Sequence, residues 1–165
     1  MTIRINQIGL FLSGGTTNTD QYESLGDVIS DFIVGSQMYD DIDKSEAIAG
    51  DIEYRCFYVK NLSATDTLNN AVVFMNILPS SPVIMSIGLD PVGLDGTATT
   101  ITDENTAPTG VTFSTTAVSA ATGLSLGAIP AGSFYAVWLK REVPATATPT
   151  AAQQEFSLKV AGETT

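Results

Sequence analysis

Residues 50–79, GDIEYRCFYVKNLSATDTLNNAVVFMNILP, restrict what this chain can fold into more than any other stretch. They read as strand, polar turn, strand. Ile52, Tyr54, Cys56 and Tyr58 alternate with Glu53 and Arg55, and a period of two lays one set on a core and the other in water. Residues 61–70 are rich in Asn, Ser, Thr and Asp, whose side chains support turns by bonding nearby backbone. Residues 71–78 return as an apolar, partly β-branched run that stops at Pro79.

A second block, residues 123–144, has the same character. Leu124 and Leu126 precede a Pro130-Ala131-Gly132 corner, and Phe134 to Val143 makes a long strand. Phe134, Ala136, Trp138 and Lys140 share one phase; Tyr135, Val137, Leu139 and Arg141 share the other. Trp138 is expected to fill the space between two sheets. Both phases stay apolar up to Lys140, so the second face should also be covered, by another segment or another chain.

Between the blocks, residues 83–89 form an apolar strand ending in Gly-Leu-Asp-Pro, followed by a tight turn at Asp95-Gly96. Residues 97–102 and 111–114 suggest brief strands, and 115–122 a surface loop. Residues 145–153 read as an exposed loop, and Phe156, Leu158 and Val160 alternate with Ser157 and Lys159 in a last strand. With 165 residues, 44% hydrophobic and only 15% charged, the chain is one domain with a real core. Its Thr-, Val- and Ile-rich segments favour strands over helices. The six to eight short strands counted here, without strand–helix alternation, predict an all-β fold. Its form is an antiparallel immunoglobulin-like β-sandwich over residues 50–165. Residues 1–49 supply one strand, 2–13, and an irregular N-terminal arm.

Within that arm, Val28, Ile29, Phe32 and Ile33 sit at offsets that suit one face of a short helix capped by Ser24, or an extended arm lying on a partner. These four are the candidate partner-binding residues. Asp40, Asp41 and Asp43, with Glu46 close behind, raise the question of a cation site, since calcium favours clustered oxygens. They lack the spacing and distal Glu of an EF-hand, and a solvated acidic turn before the Gly50 strand is the preferred reading.

The function classes narrow further on charge. A net charge of −11 with seven scattered basic residues cannot build a phosphate-binding footprint, so neither nucleic acid nor an anionic membrane is an expected partner. The absence of histidine removes the commonest neutral-pH acid/base and metal ligand. No Ser-His-Asp or Cys-His arrangement can form, no Cys/His set suits zinc, and no Trp/Tyr-rich cleft accompanies the carboxylates. The chain is expected not to be an enzyme and to need no cofactor. Cys56, the single cysteine, lies on the apolar phase of its strand and reads as a small buried hydrophobe. No run approaches the ~20 apolar residues of a membrane span, and residues 1–15 lack the pattern of a secretory signal, so a soluble protein made in the cytosol is expected.

Two blocks carry a resemblance. Residues 61–73, NLSATDTLNNAVV, and 128–138, AIPAGSFYAVW, are similar to many immunoglobulin-like modules, where a Pro-Gly corner introduces a long late strand. LSGGTTNTD, GDIEYRCFYVKN, IGLDPVGLDGTATTITDENTAPTGVTFS and AGSFYAVWLKREVP together resemble virion structural proteins of tailed bacteriophages. The resemblance implies a virion component assembled in the host cytoplasm, with a sandwich used as a cement or surface module, and its motifs do not carry the station on the virion. Size, acidity and the lack of catalytic groups make a capsid decoration (cement) protein on the head exterior the first expectation, a homo-oligomer, trimeric in that role, whose partners are the major capsid protein or other virion proteins. A neck, tail or baseplate component is the alternative, and a carbohydrate or host-surface binding module, calcium-assisted through Asp40, Asp41 and Asp43, a further one.

Overall fold

The alternating and β-branched segments do fold as strands. The computed structural model, which describes residues 7–147 and 155–164, is an all-β sandwich of two antiparallel sheets. In chain order come β1 (Ile8–Ser13), β2 (Ile29–Ile33), α1 (Lys44–Ala49), β3 (Asp51–Asn61), β4 (Leu68–Ile77), β5 (Ile84–Leu94), β6 (Leu124–Ile129), β7 (Phe134–Val143) and β8 (Ser157–Thr164). The larger sheet has the order β2-β1-β3-β7-β5 and the smaller β6-β4-β8.

The spine is the β3–β7 ladder, continuous from Asp51↔Val143 to Lys60↔Phe134. The strand–turn–strand unit of residues 50–79 is therefore split: β3 lies in the larger sheet and β4 in the smaller. The polar run between them is a crossover. Asn61 anchors it, its amide donating to Asp66 O at 2.8 Å and to Ile129 O at 2.9 Å. Ser63 Oγ accepts from Asp66 N at 2.9 Å, the local side-chain bonding that such residues favour. Pairing also runs across the 49/50 boundary, because β1 joins β3 from Ile8↔Asn61 to Leu12↔Phe57 and β2 joins β1. Ile3 and Ile5 of the predicted first strand, and most of the predicted 145–153 loop, lie outside the described residues.

Two apolar cores flank the larger sheet. Between the sheets, Leu12, Phe57, Val59, Val137 and Leu139 meet Val73, Met75, Leu126 and Ile129. On the outer face, Phe11, Tyr54, Cys56, Tyr58, Ala136 and Trp138 pack under Ala98 and Ile101. Trp138 thus corrects the expectation from its sequence: it is fully buried, but on the outer face. Residue parity is the reason, since Val137 and Leu139 take the inter-sheet phase. The second face of β7 is covered by the chain's own segment 96–113. That segment crosses as coil, with single bridges Asp27↔Ala98 and Ile87↔Ser114 in place of the predicted brief strands.

β5 does not stop at Leu89 but continues to Leu94, with a register irregularity between those two residues. The expected Gly-Leu-Asp turn at Asp90 is instead an internal anchor. Asp90 is 1% exposed and accepts from Trp138 Nε1 at 2.9 Å, Thr99 N at 2.9 Å and Val92 N at 3.0 Å. A buried carboxylate is tolerated when hydrogen-bond donors surround it, and this one ties the covering segment to the sheet.

Candidate functional site

The four apolar arm residues come to the free edge of the larger sheet. Gly26 and Asp27 take positive φ, 97° and 66°, in the turn before β2. Tyr58 Oη donates to Asp27 O at 2.6 Å and fixes that turn. The segment is extended; no helix follows Ser24, which is buried with its carbonyl accepting from Cys56 N at 2.8 Å. An edge position supplies the reason, because β1 offers β2 a ladder that a short Gly-flanked helix could not use. Ile29 packs on the outer core. Val28 is 36% exposed, Phe32 46% and Ile33 64%, so two large apolar side chains stand in water, one on each face of a strand that is the edge of its sheet among the described residues.

The acidic run is dispersed among separate tasks. Asp43 is the N-cap of α1 in a capping box: its carboxylate accepts from Glu46 N at 2.8 Å, and Glu46 Oε2 accepts from Asp43 N at 2.8 Å. The Ser45 hydroxyl and the Glu46 N–H bonded to Asp43 hold its carboxyl below the usual carboxylate range. Asp40 turns to Arg141, and Asp41 is exposed. Among the described residues, no group of three or more His, Cys, Asp or Glu is placed to hold a metal ion. Replacing Asp43 by alanine removes the N-cap and is expected to lower Tm slightly.

The feature that sequence reasoning missed is a buried ionic network. Glu53 and Arg55, expected in water, are 1% and 0% exposed, whereas Ile52, expected inside, is 38% exposed. Glu53 and Arg55 share the phase of Phe57 and Val59, and so face the inter-sheet space. The signal was that continuous phase, which should have outweighed polarity. Glu53 pairs with Arg141 of β7 and lies 3.6 Å from Arg55. Arg55 also pairs with Glu104. Arg141 donates to Asp40 O at 2.7 Å and to Asp40 Oδ1 at 3.1 Å. Tyr39 closes the network, its ring centroid 4.8 Å from the Arg141 guanidinium and 5.5 Å from that of Arg55. Burial pushes the Tyr39 phenol far up and raises the Glu53 carboxyl to about 7, against the opposing pull of Arg141 and Arg55.

Cys56 is the inert hydrophobe its position suggested. It is fully buried, and desolvation raises its thiol well above the usual range. Among the described residues, a cleft of about 990 Å³ lies beside the network, its lining including Met38, Tyr39, Arg141, Ile77, Phe156 and Leu158. No helix of the described residues is long and apolar enough to cross a membrane. Comparison with family models, with curated proteins and with solved structures returned no match.

Proposed function

We propose that this chain is a non-enzymatic virion structural protein, a capsid decoration module with an immunoglobulin-like sandwich that binds the phage head exterior. The observation that carries the reading is β2, the edge strand among the described residues, presenting Phe32 and Ile33 at 46% and 64% exposure. Exposed apolar side chains on an unpaired edge invite another chain. The resemblance of its motifs to phage virion proteins supports another virion protein as that chain, and the decoration reading makes it a capsid subunit. The charge of −11 suits a protein present in many copies beside packaged nucleic acid, because it favours solubility and disfavours phosphate contact.

Deleting residues 1–49 would remove β1 and β2 from the sheet and test folding instead of binding. The sharper variant is Phe32→Ser with Ile33→Ser, two exposed positions whose change leaves both cores intact. The expected result is a Tm close to that of the unmodified chain, with at least tenfold weaker retention on phage heads in co-sedimentation, as for loss of roughly 1.4 kcal/mol or more of contact energy. Unchanged retention on heads would overturn the edge assignment. Retention on tails or necks, with none on heads, would replace the decoration reading by the tail-axis one.

A further inference from the structure

Residues 35–42 cross the open end of the inter-sheet space as a strap. Val34 N bonds to Leu10 O before the strap, and the capping box of α1 holds the chain after it. Among the described residues, the polar bonds tying the strap to the sheet come from one side chain, Arg141, through Asp40 O and Asp40 Oδ1. The same guanidinium serves Glu53 through Nε and Nη2. Met38 and Tyr39 are the apolar underside of the strap, 6% and 9% exposed.

We infer that residues 35–42 are a pH-dependent strap, in which Glu53 and Asp40 compete for Arg141 and protonation of Glu53 tightens the hold on Asp40. The inference is independent of any particle role. The groups that face Glu53 are Arg55 on its own strand, Arg141 on β7, and Asp40 and Tyr39 on the strap; Glu104 reaches the cluster through Arg55. Counted together, Asp40, Glu53 and Glu104 against Arg55 and Arg141 leave one excess negative charge when Glu53 is ionised. Its protonation removes that excess.

The sign follows from proton linkage. With the strap closed, burial raises the Glu53 carboxyl to about 7, and the Asp40 charge adds to the rise. With the strap open, water reaches Glu53 and its affinity for a proton falls towards the ordinary carboxylate value. Closure therefore takes up a proton, so the closed form is favoured as pH falls and released as pH rises through about 7. The reciprocal statement is that the strap carboxylate binds Arg141 more tightly when Glu53 is neutral.

Methionine oxidation by hydrogen peroxide reads the opening directly. Met38 is on the strap, while Met75 is 0% exposed in the inter-sheet core and reports global unfolding. Peptide mass spectrometry after a timed peroxide pulse should show Met38 oxidation rising about tenfold from about pH 6 to about pH 8, with Met75 protected throughout. Glu53→Gln, neutral at every pH, should flatten the Met38 profile at its slow limit. Asp40→Asn, which removes the competing charge, should instead speed Met38 oxidation at about pH 6. A Met38 rate independent of pH in the unmodified chain, or one that falls as pH rises, overturns the inference whether or not the variants fold. So does a rise in which Met75 moves in step with Met38, since that is unfolding of the whole domain.

Discussion

Replacing Arg141 by methionine is expected to lower the free energy of unfolding by about 3–5 kcal/mol, the cost of leaving a buried charge without its partner. Arg141 is 7% exposed and holds Glu53 on one side and Asp40 on the other. Methionine fills most of the volume, so packing loss contributes little. The dominant loss is electrostatic: Glu53, 1% exposed, keeps only Arg55 at 3.6 Å. Urea unfolding monitored by Trp138 fluorescence measures the change. The matched double variant Glu53→Gln with Arg141→Met should recover more than half of the loss, because it removes both members of that buried pair and leaves Arg55 to Glu104. A single variant as stable as the parent would mean that water reaches Glu53, and that the network is not a closed one.

Replacing Trp138 by alanine is expected to cost about 3–5 kcal/mol through the cavity left in the outer core. The ring is fully buried beside Cys56 and Ala98, and its N–H donates to Asp90 at 2.9 Å. The covering segment 96–113 rests on that core, so its detachment should accompany the stability loss. Limited proteolysis distinguishes this from inter-sheet damage: cleavage should concentrate between residues 100 and 112. Uniform cleavage across β4, β6 and β8 would instead place the damage between the sheets. Trp138→Phe fills much of the ring but leaves an Asp90 acceptor short of one donor, so about 1–3 kcal/mol is expected there.

Local pattern was enough for the strand content and for several of the strands themselves. The alternation in β8 and the long apolar run of β7 were legible because a strand half buried, or buried on both faces, leaves a period or a continuous run that needs no partner to be read. The turn at Asp95 was legible from its Asp-Gly pair and the polar turn after Asn61 from side chains that bond nearby backbone, but that this turn crosses between the sheets was not. The short helix α1 was not, since six residues give too few turns for a period to show. Its capping signature, Asp43 with Glu46 three residues on, was read as an acidic cluster instead.

The same residues of β3 mark where local pattern stops. Tyr54, Cys56 and Tyr58 announced one buried face, and they are buried together on the outer core. Glu53 and Arg55 announced a wet face, and they are buried too, because β7 brings Arg141 alongside Glu53 and the strap brings Asp40 and Tyr39. No window along the sequence contains that pairing: Glu53 and Arg141 stand 88 positions apart. What the sequence by itself determined is the all-β class, most strand positions and the poverty in cationic and imidazole chemistry, all local or compositional properties. Only the tertiary structure decided which sheet each strand joins, which face Trp138 fills and which charges lie inside. Those outcomes depend on long-range register, and a charge is affordable inside only where a distant segment supplies its partner.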